Sequence, residues 1–193
     1  GAVYAVIDEI AFEIPGKTFL VPDVLTALQQ LAKYHREQFN IPFIAITGSN
    51  GKTTTKELVH AVLSSSYNAY TTEGNLNNHI GMPLTLLKLR AHHRYAVIEM
   101  GMNHEGEISY LTHIARPQVA LVNNAQRAHV GEVGGIEAVA RAKGEIFSGL
   151  EADGMAIINA PWRFDHVLGE LMPPLLRHLQ QGRFGAQTVQ WLV

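Results

Sequence analysis

Ile44-Ala-Ile-Thr-Gly-Ser-Asn-Gly-Lys-Thr-Thr-Thr-Lys-Glu57 joins an apolar run to a run of good helix formers through two glycines. The run from Ile41 to Ile46 reads as a fully buried strand. It breaks at Thr47-Gly48, passes through Ser49-Asn50-Gly51, and gives way to a helix expected from Lys52 to Val62. Strand, glycine-rich turn and helix are the setting in which a Gly-Lys-Thr tripeptide binds phosphate. Glycines let successive backbone N–H groups converge at a helix N-terminus, which favours an anion there. On this reading Thr47, Gly48, Ser49, Asn50, Gly51, Lys52, Thr53 and Thr54 form the cradle. Lys52 reaches the β- and γ-phosphates of a nucleotide, and the Thr53 hydroxyl ligates Mg2+. The spacing is T-G-x-x-G-K-T, because Ile46 stands where the usual G-x-x-x-x-G-K-[ST] has its first glycine. A glycine-rich strand-to-helix turn carrying a surface lysine is the competing reading.

Composition narrows the classes. Lys plus Arg (15) nearly balances Asp plus Glu (17), and a net charge of −2 gives no pull toward nucleic acid or an anionic membrane. The chain has no cysteine, so it has neither a disulfide framework nor a thiolate site, which fits a cytoplasmic, reducing compartment. No apolar run reaches the roughly 18 residues that a membrane-spanning helix needs. The N-terminus lacks the basic start and apolar stretch of a signal peptide. It begins within a strand-like run, Ala2 to Ile7, so the chain reads as part of something longer.

Residues 1–40 read as a first unit: a strand from Val3 to Ile7, a turn at Pro15-Gly16, a second strand from Thr18 to Val21, and a helix after Pro22-Asp23. Its apolar positions (Val24, Leu25, Leu28, Leu31, Ala32, Phe39) recur with helical period, and Asp23 is expected in the first turn. Two strands and a helix cannot close a core, so this unit is expected to be the tail of a separate domain, with the boundary at Asn40-Ile41-Pro42. From Ile41 onward strands and helices alternate, with strands expected at Asn68 to Thr72, Arg94 to Met100, Val119 to Asn123 and Met155 to Asn159. Helices are expected after Gly81-Met-Pro83, from Glu105 to Ala115 and from Ile136 to Leu150. This is the pattern of an α/β fold with a parallel sheet covered by helices on both faces, in which ligands bind beyond the carboxyl ends of the strands. Arg163 to Leu179 reads as a further helix and Phe184 to Val193 as a strand without a sheet partner in sequence.

The polar residues of interest fall at those strand ends. Glu99 closes a buried strand and suits Mg2+, which takes one or two carboxylates together with substrate phosphates. A carboxylate paired with a surface lysine is the alternative. Gly74-Asn75-Leu76-Asn77-Asn78 follows the preceding strand, and Asn123-Asn124 leads on toward His129. From the residues alone His129 is an ordinary loop histidine, one of ten in the chain, and Lys143 a solvated lysine in mid-helix.

Thr47 to Thr54, together with Glu73-Gly-Asn-Leu-Asn-Asn-His-Ile-Gly-Met-Pro83, Glu99-Met-Gly-Met-Asn-His104, Ala128-His129 and Ala142-Lys-Gly-Glu-Ile-Phe147, resembles the Mur ligases. The asparagine-rich loop and the Lys-Gly-Glu-Ile-Phe helix are most similar to those members that join D-alanyl-D-alanine to UDP-N-acetylmuramoyl-tripeptide. The resemblance runs from about residue 20 to about residue 160. It implies a P-loop-type central domain, ATP and Mg2+ as cofactors, and amide formation through an acyl phosphate in peptidoglycan precursor synthesis. It implies that Glu99 ligates Mg2+, that His129 helps hold a second Mg2+, and that Lys143 is carried as a carbamate, an anionic oxygen ligand. It places Asn75, Asn77 and Asn78 against nucleotide and substrate. The expected organisation is then 1–40 as the end of a UDP-substrate-binding domain and 41–193 as an incomplete central ATP-binding domain, without the family's C-terminal domain. A monomer is expected, with the UDP-linked tripeptide and D-alanyl-D-alanine as its partners. Two other readings stay open: a folylpolyglutamate-synthase-like ligase of the same superfamily, and a non-catalytic ATP-binding module.

Overall fold

The computed structural model describes residues 2–125 and 135–158; His129 and the elements expected after Ile158 lie outside them. Two short parallel strands, β1 (Ala5–Ile7) and β2 (Thr18–Leu20), pair with each other and precede helix α1 (Val24–Glu37). Strand β3 (Phe43–Thr47) leads to α2 (Lys52–Ser64), and β4 (Ala69–Thr71) to α3 (Gly81–Leu87). Then follow β5 (Tyr95–Glu99), α4 (Glu107–Ala115), β6 (Val119–Val122), α5 (Ile136–Gly144) and β7 (Met155–Ile158). The last five strands form one parallel sheet in the order β4-β5-β3-β6-β7.

Strand β3 is central because its residues are apolar on both faces. Phe43 and Ala45 join Ala96, Ile98, Ala120 and Val122 in a buried cluster with Ala32 of α1, Leu86 of α3, Leu111 of α4 and Ile146. By strand alternation Ile46 and Val97 face the other way, where α2 packs across β3, β4 and β5. After β3 the chain moves out to β4 and returns through β5, then crosses to β6 and β7 on the other side. That reversal makes the carboxyl end of β3 the switch point at which sheets of this kind form their ligand crevice.

Several boundaries differ from the sequence expectations. Asp23 is the N-cap of α1, one position before its first turn, and its Oδ1 accepts from the Thr26 N–H at 2.6 Å. Gly81-Met-Pro83 lies inside α3, in the first turn, where a proline removes no intrahelical hydrogen bond. The helix expected from Ile136 to Leu150 tightens after Gly144 into a 3₁₀ turn, Glu145–Gly149, which lies along α4. Gly149 approaches α4 so closely that a Cβ there would sit 2.5 Å from the Thr112 carbonyl carbon.

Helix α1 packs against α3 and α4, burying Gln29, Ala32 and Arg36. Arg36 is the anchor: Nε donates to the Ala115 carbonyl (2.6 Å), and the other guanidinium nitrogens donate to the carbonyls of Arg116 (2.9 Å) and Phe39 (3.0 Å). It also lies 3.7 Å above the Phe43 ring centroid. Burial lowers its pKa to about 10, with Arg116 adding to the effect. Arg36 thereby satisfies the end of α4, whose last carbonyls have no helical partner. Replacing Arg36 by Ala leaves the buried Ala115 carbonyl without its donor, and urea denaturation should show a loss of about 3 kcal/mol.

Candidate active site

Three neighbouring strand ends meet at the crevice. Across β3 and β5, Ile46 pairs with Glu99, and across β3 and β6, Thr47 pairs with Val122. The loop after β3 is braced from both sides. The Thr47 hydroxyl donates to the Met100 carbonyl (2.8 Å), and the Asn124 carbonyl and side-chain oxygen accept from the Ser49 and Asn50 N–H groups (3.0 and 2.9 Å). The amides of Asn123 and Asn124 both donate to the Asn50 carbonyl at 2.9 Å. Gly51 has a left-handed backbone (φ 71°), and a Cβ on it would lie 2.8 Å from the Asn123 amide nitrogen. The first-turn amides of α2, from Lys52 to Thr54, have no carbonyl four residues back within the helix. Thr53 and Thr54 are exposed there.

Lys52 curls back over the loop, its Nζ donating to the Gly48 carbonyl at 2.9 Å. Partial burial lowers its pKa, against the pull of Glu99. Glu99 is 1% exposed. Its Oε1 accepts from the Asn77 amide at 2.7 Å, whereas Oε2 is buried without a hydrogen-bond partner among the described residues. An unpartnered carboxylate oxygen beside a phosphate-loop lysine is a cation-binding feature. No group of three or more His, Asp or Glu among the described residues forms a metal cage of its own. A single open carboxylate oxygen of this kind fits a hard cation such as Mg2+, which takes one or two carboxylates together with phosphate and water.

Lys143 is 2% exposed, so the solvated reading of this lysine does not hold. Its pKa falls to about 8, through burial first and then the nearby positive charge of Lys52, with Glu145 and Glu107 opposing. Those two carboxylates have structural work: Glu145 accepts from the Gly106 and Ser109 N–H groups (2.7 and 3.1 Å) at the start of α4. Glu107 accepts from those of Asn103 and His104 (2.7 and 3.3 Å). Burial opposes ionisation of Glu107, but these hydrogen bonds outweigh it and lower its pKa. Of the loop asparagines, Asn77 faces Glu99, Asn78 accepts from the Ile80 and Gly81 N–H groups (3.1 and 2.8 Å), and Asn75 is exposed. The structure thus gathers Lys52, Glu99, Lys143 and Asn77, while His129 lies outside the described residues.

A family model described as the Mur ligase middle domain matches residues 46–175. The chain belongs to the Mur ligase family. The UDP-N-acetylmuramoyl-tripeptide--D-alanyl-D-alanine ligase of Escherichia coli (strain K12) is 46% identical over 160 residues, which is 83% of this chain and 35% of that protein. The enzyme of the same name from Bacillus subtilis (strain 168) is 49% identical over 138 residues, 72% of this chain and 30% of its own length. The crystal structure of the MurF ligase of Thermotoga maritima in complex with ADP superposes with a TM-score of 0.79 at 29% identity, over 92% of this chain and 40% of that one. The chain thus spans about a third of the length of these curated relatives.

Within this Mur ligase domain the asparagine brace from β6, the carboxylates Glu107 and Glu145, and Lys56 of α2 went unassigned in the sequence. The sole local signal was Asn123-Asn124 following a buried strand. The lowered pKa of Lys143 has a signed consequence. The native amine releases its proton near pH 8, whereas the unfolded chain keeps it to about 10.5, so this group makes stability rise with pH between those values. NMR of the side-chain Cε and Nζ should show Lys143 titrating near 8, and Lys143→Met should remove that rise from a pH series of denaturation curves.

Proposed function

We propose that this chain is the nucleotide-binding part of an ATP-dependent ligase that joins D-alanyl-D-alanine to UDP-N-acetylmuramoyl-tripeptide. Glu99 carries the reading: a buried carboxylate, one oxygen tied and the other open, in register beside a Gly-Lys-Thr phosphate loop. The named relatives support the choice of acceptor and donor. On this reading residues 1–40 end a UDP-substrate-binding domain, residues 41–193 belong to the central domain, and the enzyme is a cytoplasmic monomer. No helix among the described residues is long and apolar enough to cross a membrane.

A carboxylate is a poor electrophile, so the tripeptide carboxylate first attacks the γ-phosphorus of ATP. The bond to the bridging oxygen breaks, ADP leaves, and an acyl phosphate forms. The amine of D-alanyl-D-alanine then attacks the acyl carbon and loses a proton, and the tetrahedral adduct collapses with release of inorganic phosphate. In the first step one anion approaches another, so the main task is to offset charge. Lys52 and the amides at the start of α2 do this from the protein side. Bound Mg2+ supplies further charge neutralisation and orients phosphate oxygens. Glu99 and Thr53 are the residues that would hold it, with His129 assigned to a second ion.

Lys143 fits a carbamate on chemical grounds. Its neutral amine is the form that adds to the carbon of CO2, releasing a proton, and a pKa near 8 enriches that form at neutral pH. The product replaces a buried cation beside Lys52 by an anion, which relieves the repulsion between them. With Asn77 and Asn78 engaged within the protein, exposed Asn75 is the loop asparagine assigned to face substrate.

Calorimetry with a non-hydrolysable ATP analogue and Mg2+ should show binding, and Lys52→Ala should weaken it about a hundredfold, on the order of 3 kcal/mol. In the ligase that carries this part, phosphate release should require both the UDP-tripeptide and D-alanyl-D-alanine, and glutamate should not replace the latter. Unchanged affinity in Lys52→Ala overturns the loop assignment. Binding without substrate-dependent release reduces the chain to a nucleotide-binding module.

A further inference from the structure

Lys56 lies one helical turn beyond Lys52 on α2 and is fully buried. Its Nζ donates to the Thr72 carbonyl at 2.6 Å and the Gly74 carbonyl at 3.2 Å, and pairs with Glu57 at 2.8 Å. Burying a lysine is costly, and an apolar side chain would fill the same space without that cost. What the ammonium adds is a grip on two carbonyls where β4 runs into the asparagine loop. From that point two connections lead to Glu99. The Thr72 hydroxyl oxygen accepts from the Glu99 N–H at 3.0 Å, which holds the backbone. The Asn77 amide donates to Glu99 Oε1 at 2.7 Å, which holds the side chain. Asn77 is itself pinned: its carbonyl accepts from the Gly101 N–H at 2.8 Å, and a Cβ at Gly101 would lie 2.7 Å from its side-chain oxygen.

We propose that Lys56 is a positioning residue for the metal-binding carboxylate: through the Thr72–Asn77 segment it fixes Glu99 so that Oε2 is the oxygen left open to a divalent cation. The inference rests on the nucleotide–Mg2+ reading given above. Because α2 also carries Lys52 and Thr53, one rigid helix sets both the phosphate grip and the carboxylate that faces it. A partner that orients a ligand in this way ordinarily changes metal affinity 10- to 100-fold when removed.

The test uses Mn2+, which accepts the same oxygen ligands as Mg2+, titrated into the full chain with a non-hydrolysable ATP analogue and followed by electron paramagnetic resonance. Lys56→Met should weaken Mn2+ binding about tenfold. Its affinity for the analogue in EDTA should stay within about twofold of the parent, because the phosphate loop is untouched. An equal loss in both measurements shows general loosening and overturns the proposal. Glu99→Gln separates the two levels: unchanged Mn2+ affinity in that variant overturns the underlying metal reading. If Glu99→Gln weakens Mn2+ binding but Lys56→Met does not, the positioning role alone falls. If Lys56→Met does not fold, as judged by circular dichroism, Asn77→Ala takes its place, and unchanged Mn2+ affinity there overturns the proposal.

Discussion

A carboxylate taken out of water demands partners for both oxygens, and at the end of β5 Glu99 has a partner for one. Much of the crevice can be understood from this imbalance. Two other carboxylates lie near Lys143, but both are engaged: Glu145 accepts from main-chain N–H groups at the start of α4, and Glu107 accepts from those of the turn before it through Oε2 while its Oε1 pairs with the His104 ring. They shape the wall. Glu99 alone among these three keeps an acceptor that is buried and unpartnered among the described residues, and its charge acts on Lys52 at the start of α2. The site is therefore incomplete in one particular sense: it has an oxygen for a cation and amides for an anion, in adjacent strand-end loops. A nucleotide phosphate with its divalent ion supplies both.

The two lysines of the crevice also repel one another. Lys52 and Lys143 are close enough to depress the amine of Lys143 beyond what burial does. Two ammonium groups held near one another favour either an anionic ligand between them or loss of one charge. On the proposed reading, phosphate at Lys52 would meet the first need and a carbamate on Lys143 the second. The two solutions do not compete, because one acts at the loop and the other on α5.

The alternation of apolar runs with helical patterns made the parallel sheet legible, since strands buried on both faces leave continuous apolar stretches such as Tyr95 to Ile98. The phosphate loop was legible for the same local reason: strand, glycines and helix are consecutive in the chain. What stayed hidden depends on partners distant in sequence. Lys143 reads as solvated because nothing near it in the chain shows that α5 will turn into a 3₁₀ segment pressed against α4. Lys56 reads likewise, one turn from Lys52, until β4 brings the Thr72 and Gly74 carbonyls over it. The amphipathic face of α1 was readable, but not that Arg36 would reach the end of α4.

The shortened loop pattern then has a physical explanation. Ile46 occupies the place of the first glycine of the longer motif, yet it is fully buried and pairs with Glu99 across the sheet. At this position the chain is still strand, so a side chain is needed there and a glycine would weaken it. The two glycines that remain are those which the neighbouring strand approaches. A Cβ on Gly48 would lie 3.0 Å from Asn123 Cβ, and one on Gly51 would meet the Asn123 amide. A longer loop can wrap a phosphate by curling on itself. This one is held open from outside by Asn123 and Asn124, so it needs fewer glycines and depends instead on β6 lying directly beside β3. The phosphate cradle is thus a property of the sheet order as much as of the loop sequence.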